Sequence, residues 1–517
     1  MYDVIVVGYG PKGMMAAILL GRAGHRVAVV ERYRTLYNLP RVGIVHDDIL
    51  RLFQEIGISE RVAPATHFLP HYELAHDGQV LLSNQIEPYA SHGWPEFTSI
   101  YQPAFEGELD VEVKKCAGIE VHQGWRVTEI AQNESSASIV AEDEQGISHV
   151  LEAQYVIAAD GGNSFVRTAL GIGLEDLGFD QDWLVIDARQ KRGILDRPPL
   201  RQFCDPQQPG MTMQMGPDHR RWSFMIFPGE PHAQAMEPAN VWKRLDRPDG
   251  GTPDDYDLVR VASYKFQSKI ATTWRMGRIF LAGDAVHMMP PFLAQGLCSG
   301  IRDAQNIAWK LDFVLRGIAS DKLLDTYVQE REPNARATTI ESMKVGLNVN
   351  ERDPEKVKAR DAQLRALQAE KDKGNTAKQL IAFRVPGFSQ GFVAPAGTPG
   401  AGDVFPQGLV RRDGREGAFD DIVGPGFMIL SRRASAVDAL PAQLLEFFFS
   451  LGGHFVEIST GDSAGVCVDL EGRYTGLMNA LGCEYLLKRP DYYLFGGCAR
   501  AEGLPALVEA MRAGLKG

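Results

Sequence analysis

Hydrophobic positions near the start of the chain form two continuous runs rather than an alternating pattern. Residues 4–7 and 27–30 are small or β-branched apolar residues, and they flank a glycine cluster and a helix-forming stretch over residues 14–21. Continuous apolar strands are typical of parallel sheets that are covered on both faces. The pattern therefore predicts a strand–helix–strand unit over residues 2–31.

Two later apolar runs have the same character, and each ends in a glycine and an acidic residue. Residues 155–159 lead into Asp160 and Gly161, and residues 278–282 lead into a glycine followed by Asp284. Parallel strands present their carboxyl ends at one edge of a sheet. We therefore expect both runs to deliver these residues to a ligand.

The pattern between and after these runs indicates further domains. Residues 175–268 alternate between apolar and polar positions with Pro- and Gly-rich turns, which predicts a mostly antiparallel sheet. A charged helical stretch over residues 303–373 follows, and residues 384–417 are rich in Pro and Gly, which marks a boundary.

These elements together predict an α/β protein with a Rossmann-like domain, an inserted antiparallel sheet and a C-terminal α/β domain. We expect residues 1–174 and 269–385 to form the nucleotide-binding domain with its connecting helices. Residues 175–268, with part of 70–100, are expected to form the substrate-binding sheet, and residues 400–517 the C-terminal domain.

Composition narrows the classes of protein and partner. A chain of 517 residues exceeds what one hydrophobic core supports, and the net charge of −12 argues against binding to nucleic acid. The six cysteines are dispersed without zinc-like spacing, which predicts free thiols and no metal site. No apolar run approaches the ~20 residues of a membrane span, and the first strand begins at Tyr2, so we expect a cytoplasmic protein.

The glycine cluster fits the pattern G-x-G-x-x-G of dinucleotide-binding loops. Gly8 permits the tight turn, Gly10 lets the backbone approach a pyrophosphate, and Gly13 lets helix and strand pack closely. Glu31 ends the next strand, where a carboxylate accepts hydrogen bonds from ribose hydroxyls. The unit predicts a bound dinucleotide and leaves the choice between FAD and NAD open.

Two further motifs carry a resemblance to a known family. Residues 160–167, DGGNSFVR, and residues 283–291, GDAVHMMPP, resemble the D-G-x-x-S-x-x-R and G-D-A-A-H-x-x-P segments of flavoprotein monooxygenases built like para-hydroxybenzoate hydroxylase. The resemblance implies FAD, with a helix N-terminus that stabilises negative charge on the reduced flavin. Besides the glycine motif and Glu31, the residues implied to contact FAD are Arg32, Arg41, Gln102, Asp160, Gly161, Asp284, Pro291 and Gly296.

Within that family the chain is most similar to the 3-(3-hydroxyphenyl)propionate hydroxylases and the phenol hydroxylases, judged from short segments spread over the whole chain. The resemblance implies hydroxylation of a 3-(3-hydroxyphenyl)propionate-like phenol through a flavin C4a-hydroperoxide, with O2 and either NADH or NADPH as co-substrates. It also implies a thioredoxin-like C-terminal domain. That domain lacks a CxxC motif here, so we expect it to be structural or an interface.

Hydroxylation of a phenol needs a group that takes the phenolic proton. His46 is the candidate because imidazole titrates near neutral pH, and capping of the helix at Asp47 is its alternative role. Pro291 is the second catalytic candidate, and His287 is expected to orient its own loop. The residues expected to contact the substrate, with ordinary core or surface roles as the alternative, are Arg189, Arg201, Met213, Trp222, Phe224 and Phe292.

Other functions on the same fold stay open from the sequence. They are hydroxylation of a larger polycyclic or antibiotic substrate, which cavity size would separate, and a flavoprotein oxidoreductase that does not hydroxylate. The halogenase motif W-x-W-x-I-P is missing, which argues against halogenation. The additional C-terminal domain offers a surface compatible with a homodimer.

Overall fold

The computed structural model describes residues 1–192, 197–247, 249–374, 385–433, 436–461 and 465–517. Within these ranges the chain forms three large sheets, a small three-stranded sheet and the helices around them. The α/β fold class expected from the sequence, with an inserted and mostly antiparallel sheet, is confirmed.

The strands of the N-terminal part are β1 (Tyr2–Val7), β2 (Val27–Glu31), β3 (Ile44–His46), β4 (Thr66–Phe68), β5 (His71–His76), β6 (Gln79–Gln85), β7 (Phe97–Ile100), β8 (Ile119–Gln123), β9 (Arg126–Gln132), β10 (Ala137–Glu142) and β11 (Ser148–Ala158). The strands of the middle part are β12 (Leu174–Gln190), β13 (Leu200–Phe203), β14 (Gly210–Met215), β15 (His219–Met225), β16 (Tyr256–Ala271), β17 (Arg275–Met276), β18 (Ile279–Leu281) and β19 (His287–Met288). The strands of the C-terminal part are β20 (Leu409–Arg412), β21 (Arg415–Ala418), β22 (Met428–Ser431), β23 (His454–Ser459), β24 (Cys467–Asp469), β25 (Tyr485–Lys488) and β26 (Leu494–Cys498).

The helices up to the middle of the chain are α1 (Pro11–Arg22), α2 (Asp47–Glu55), α3 (Ser59–Val62), α4 (Gln102–Lys115), α5 (Phe165–Ala169), α6 (His232–Ala235) and α7 (Pro238–Leu245). The later helices are α8 (Gln295–Leu315), α9 (Asp325–Val349), α10 (Pro354–Asp372), α11 (Phe419–Val423), α12 (Ala442–Ser450), α13 (Arg473–Leu481) and α14 (Leu504–Lys516).

The first sheet is the predicted parallel sheet, with the order β17-β18-β11-β1-β2-β8 and the hairpin β9–β10 paired to β11. Strand β1 runs parallel to both β11 and β2, and β18 runs parallel to β11. The last four residues of β1 are buried, and α1 packs against α4 and α8. The glycine loop and both later motifs therefore leave this sheet at the same edge.

The second sheet has the order β19-β16-β12-β15-β14-β13-β5-β6. The long strands β12 and β16 are antiparallel, whereas β13 pairs with β5 in parallel. Strand β19 begins three residues after Asp284, so the third motif continues into an edge of this sheet. One face of the sheet is thereby held against the cofactor loops.

The third sheet, with the order β21-β20-β24-β23-β22-β25-β26, forms the C-terminal domain. Its apolar core includes Trp309 and Phe313 from the far end of α8, so it packs directly on the first domain. All six cysteines are free thiols. The thioredoxin-like assignment of this domain stays a prediction.

A buried polar network fastens this domain to the rest of the chain. Arg489, just after β25, donates to both carboxylate oxygens of Glu330 on α9 at 2.9 and 2.8 Å and to Asp491 at 2.9 and 2.7 Å. Lys310 on α8 donates to Glu330 at 2.7 Å, and the side chains of Arg489, Lys310 and Glu330 are all fully buried.

In the described part of the chain, no helix is long and apolar enough to cross a bilayer.

Candidate active site

The glycine loop between β1 and α1 has the close contacts that its motif requires. Gly8 has a φ of +106°, and a Cβ there would lie 2.5 Å from the carbonyl oxygen of Ala159. A Cβ on Gly13 would lie 2.0 Å from the carbonyl oxygen of Gly8. A Cβ on Gly10, in contrast, would meet nothing within 4 Å, so the space in front of the α1 N-terminus is open to an anionic ligand.

Glu31 lies beside this loop at the end of β2. One of its carboxylate oxygens accepts a hydrogen bond from the backbone N–H of Tyr9 at 2.8 Å, and the other accepts from that of Tyr33 at 3.0 Å. These bonds hold the carboxylate at the sheet edge where a ribose would lie. Arg32 is exposed, with its guanidinium 4.9 Å from the centre of the Tyr33 ring.

The second motif contains an unsatisfied polar atom. Asp160 accepts a hydrogen bond from the N–H of Val166 through one oxygen, whereas its other oxygen is buried without a partner. Burial raises the pKa of Asp160. Arg167 donates to the carbonyl oxygens of Ala285 at 2.9 Å and Gly162 at 2.8 Å, which ties the second motif to the third. Gly161, at the turn itself, has a φ of +85°.

Asp303 on α8 organises the third motif. One of its oxygens accepts from the N–H of Gly283 at 2.9 Å and lies 2.8 Å from Nε2 of His287, and the other accepts from Arg331 at 2.9 Å. Burial opposes the charge, but His287 and Arg331 hold the pKa of Asp303 well below its usual value. His287 thus fixes the shape of the loop that presents Asp284.

Lys12 is a site residue that the sequence reasoning missed, although it lies inside the glycine motif. Its side chain is 14% exposed and pairs with Asp284, and its stem fills the space beside Gly283 and Gly300. The third motif therefore faces the glycine loop directly. A cation at this point also suits an anionic cofactor.

The N-terminus of α8 borders the same space. Ala294 precedes the helix with a φ of +56° and no side-chain cap, and the first turn contains no acidic residue. Gly296 and Leu297 line the adjoining cavity. The uncapped N–H groups of this turn place partial positive charge where the resemblance expects the flavin pyrimidine edge.

Replacing Ala294 with glycine is expected to stabilise the protein by about 0.5–1 kcal/mol. A left-handed backbone strains alanine but not glycine, and the larger unfolded-state entropy of glycine offsets part of the gain. Thermal unfolding of the cofactor-free proteins measures the effect. Ala359→Gly, at an exposed position of α10, is the control and should shift the midpoint in the opposite direction. A lower midpoint for Ala294→Gly would contradict the strain argument.

Gln102, at the start of α4, contacts the loop that follows β2, and Arg41 belongs to that loop. The buried Gln102 side chain accepts a hydrogen bond from the backbone N–H of Arg41 at 2.9 Å and donates to Glu106. The Arg41 guanidinium lies 3.6 Å from Glu106 and borders the cavity. Arg221 donates to the Arg41 carbonyl oxygen at 2.7 Å. Gln102 therefore positions the loop, and Arg41 faces the cofactor space.

A cavity of about 360 Å³ extends from these loops to the inner face of the second sheet. Among the residues predicted from the sequence, it is lined by Arg41, Met213, Asp284, Pro291, Phe292 and Gly296. Its other walls come mainly from alternate residues of the sheet strands, namely Tyr72, Trp183, Val185, Leu200, Gln202, Met211, Ser223, Tyr264 and Phe266.

The structure does not bring Trp222 and Phe224 to this cavity. Successive side chains of a strand point to opposite faces, and on β15 it is Ser223 that lines the cavity. Trp222 and Phe224 belong to the core on the other face of the sheet. The aromatic wall is formed instead by Trp183, whose ring centre lies 5.6 Å from that of Phe292.

The arginines expected to bind a substrate carboxylate are engaged elsewhere. Arg189 is exposed and pairs with Asp218 at 3.0 Å. Arg201 pairs with Glu73 at 2.7 Å and with Asp249 at 2.8 Å. Neither arginine is among the described residues that line the cavity.

His46 lies behind the cavity wall. Its ring is buried, 3.1 Å from the carbonyl oxygen of Leu293, and receives a hydrogen bond from the side chain of Gln295. Burial and, next, the charge of Arg302 lower the pKa of His46 to about 4. The histidine is therefore neutral at pH 7, and among the described residues neither His46 nor Gln295 lines the cavity.

These features together define a dinucleotide-binding flavoprotein. The open face of Gly10, the anchored Glu31 carboxylate and the unpartnered oxygen of Asp160 fit FAD. Residues 1–342 match the family model described as FAD binding domain, and residues 402–514 match the HcaD C-terminal domain. The chain belongs to this FAD-binding family and is an FAD-dependent aromatic hydroxylase.

Curated relatives match over nearly the whole chain. The chain is 38% identical over 514 residues to a probable NADH-specific resorcinol 4-hydroxylase of Rhodococcus jostii (strain RHA1). The matched region covers 98% of this chain and 94% of the relative. It is 33% identical over 528 residues to a 3-(3-hydroxy-phenyl)propionate/3-hydroxycinnamic acid hydroxylase of Mycobacterium sp. (strain JLS), covering 98% and 91%.

Two solved structures share the fold over 99% of both chains. The flavin-dependent monooxygenase PieE, in complex with FAD and substrate, has a TM-score of 0.84 at 21% identity. Aklavinone-11 hydroxylase, in a ternary complex with FAD and aklavinone, has a TM-score of 0.79 at 23% identity.

Proposed function

We propose that this enzyme hydroxylates the ring of a small phenol, with NADH as the reductant. The observation that carries the proposal is the cavity that joins the cofactor loops to the apolar face of the second sheet. The relatives described above are named for resorcinol and for 3-hydroxyphenylpropionate, and one is named NADH-specific. In the reaction, one atom of O2 replaces a ring hydrogen as hydroxyl, the other leaves as water, and NADH supplies two electrons.

The size of the cavity favours one aromatic ring over a polycyclic substrate. Its volume of about 360 Å³ lies near the lower end of the roughly 300–1,000 Å³ typical of ligand pockets. The same space borders the α8 N-terminus, where the flavin ring is expected, so the two ring systems share it. The space left beside a flavin ring therefore suits a single-ring phenol better than a large antibiotic precursor.

FAD, when bound, accepts electrons from NADH and activates O2, while the residues of this chain provide the environment. The N-terminus of α8 stabilises negative charge beside the cavity. Trp183, Phe266 and Phe292 exclude water and hold the substrate ring. Pro291 borders the cavity beside them, and its catalytic role stays a prediction.

His46 stays the candidate for the phenolic proton, although its ring lies behind the cavity wall, against Gln295 and the backbone of Leu293. A His46→Gln substitution that leaves the pH dependence of kcat unchanged would remove it from this role. The cytoplasmic location and the homodimer also stay predictions.

The test is NADH and NADPH oxidation by the purified FAD-bound protein with and without phenols, together with mass analysis of the products. Resorcinol, 3-(3-hydroxyphenyl)propionate and a set of larger phenols are compared. We expect a small phenol to stimulate NADH oxidation and to yield a product heavier by one oxygen atom. Stimulation by polycyclic phenols alone, or by no phenol, would contradict the proposal.

A further inference from the structure

Two buried polar side chains interrupt the apolar wall of the cavity. Tyr72 on β5 and Gln202 on β13 are each 3% exposed, and both line the cavity. Their strands are neighbours in the second sheet. The apolar residues that pack in the same cluster and also line the cavity are Ile44, Phe97, Leu200, Met213 and Leu293.

The two side chains present one donor and one acceptor without partners. The hydroxyl of Tyr72 and the amide oxygen of Gln202 are both buried, and neither has a partner at hydrogen-bonding distance. The Gln202 amide lies beside the Tyr72 hydroxyl as a weak donor, which leaves the hydroxyl proton and the amide oxygen free for a ligand. Burial raises the pKa of the Tyr72 phenol well above its usual value, so the hydroxyl stays protonated and can donate. Buried polar atoms without partners cost free energy, which a ligand recovers if it satisfies them.

The positive charges around the cavity are already neutralised. Within the described residues, four cations line it, and each pairs with a carboxylate: Lys12 with Asp284, Arg41 with Glu106 at 3.6 Å, Arg221 with Asp187 at 2.6 Å, and Lys265 with Asp180 at 3.0 Å. A substrate carboxylate would find no unpaired cation among them. Being an acceptor only, it would also repel the amide oxygen of Gln202.

We propose that Tyr72 and Gln202 bind a neutral hydroxyl group of the substrate and thereby select an uncharged dihydroxybenzene over a phenol that carries a carboxylate. One hydroxyl accepts from Tyr72 and donates to Gln202, so both orphaned atoms are satisfied at once. Leu293, two residues before α8, packs in the same cluster as Tyr72 and lines the cavity, so the pair lies near the end of the cavity that borders the α8 N-terminus. The second hydroxyl of the ring stays available to activate the carbon that is hydroxylated.

This inference rests on the proposed function, since it concerns the substrate of the same cavity. The variants are Tyr72→Phe and Gln202→Leu. The substrates are 1,3-dihydroxybenzene (resorcinol), 3-methylphenol and 3-(3-hydroxyphenyl)propionate. We expect the unmodified enzyme to prefer 1,3-dihydroxybenzene. Each substitution should lower kcat/KM for it by about tenfold or more, mainly through KM, because the site loses one hydrogen bond to the anchored hydroxyl. The kcat/KM for 3-methylphenol should stay within about threefold.

Tyr485→Phe is the matched control, because Tyr485 carries an equally buried and unpartnered hydroxyl in the C-terminal sheet. Tyr485→Phe should leave kcat/KM for each of the three substrates unchanged. The FAD content of each purified variant shows whether it folds. If Tyr72→Phe does not fold, Gln202→Leu still tests the pair independently. Equal losses for 1,3-dihydroxybenzene and 3-methylphenol, or a preference for the carboxylate substrate, would overturn the inference.

Binding can be followed without turnover through the change that each phenol causes in the flavin absorbance spectrum. We expect 1,3-dihydroxybenzene to bind about tenfold more weakly to either variant. If no phenol stimulates NADH oxidation, the proposed function fails, while this titration still decides whether the pair binds a hydroxyl. An unchanged dissociation constant in both variants would exclude the pair.

Discussion

Replacing Gly10 with valine is expected to give a folded protein that no longer retains FAD. The backbone of Gly10 has φ −80° and ψ 177°, which valine adopts readily, and a Cβ there meets no protein atom within 4 Å. The added side chain would instead occupy the space in front of the α1 N-terminus, where the pyrophosphate must approach the backbone. We expect the dissociation constant of FAD to rise by about 100-fold or more, which corresponds to about 2.7 kcal/mol.

The FAD content of the purified protein and a titration of the cofactor-free form measure this loss. Gly107→Val is the matched control, because a Cβ on Gly107 in α4 also meets no atom within 4 Å and the site lies outside the cavity. That variant should purify with FAD. A Gly10→Val protein with an unaltered FAD affinity would show that the pyrophosphate binds elsewhere.

Replacing Arg489 with methionine is expected to destabilise the protein by about 3–5 kcal/mol, because the change leaves buried carboxylates without their main partner. Arg489 donates to Glu330, to Asp491 and to the carbonyl oxygen of Phe392 from a fully buried position. Thermal unfolding and limited proteolysis should show the C-terminal domain becoming labile first. Arg512→Met, which removes a partly exposed pair with Glu509, should cost at most about 1 kcal/mol.

The same network should respond to acid. Burial alone would raise the pKa of Glu330, but Arg489 and Lys310 hold it down at about 2, below the ordinary value of 4.5. A depressed carboxylate pKa contributes stability that is complete above pH 4.5 and is lost as the pH falls toward 2. An Arg489→Met protein with the acid sensitivity of the unmodified chain would contradict this assignment.

The cofactor loops could be predicted from the sequence because their constraints are local. Gly8 needs a left-handed backbone and Gly13 needs a close contact, and both requirements appear in the spacing of the glycines themselves. The cavity could not be predicted in the same way. Which face of β15 borders the cavity depends on how the sheet packs against the cofactor loops, so Ser223 and not Trp222 lines it.

Contacts between distant parts of the chain also could not be predicted from the sequence pattern. Glu330 and Arg489 are 159 positions apart, and no periodicity links them. The buried pair of Tyr72 and Gln202 similarly depends on the parallel pairing of β5 with β13, which local alternation does not specify. The network around Asp303, in contrast, includes two residues of the third motif, Gly283 and His287, and the sequence indicated the orienting role of His287.

The alternation of side chains on the second sheet has a practical consequence for enzyme engineering. Because one strand face lines the cavity and the other packs in a separate core, the residues that can be randomised to alter substrate choice form a short set that leaves the second core untouched. A combinatorial library would be built at Val185, Leu200, Met211 and Met213. Positions 184, 186, 222 and 224 would be held constant, since they form the opposite core.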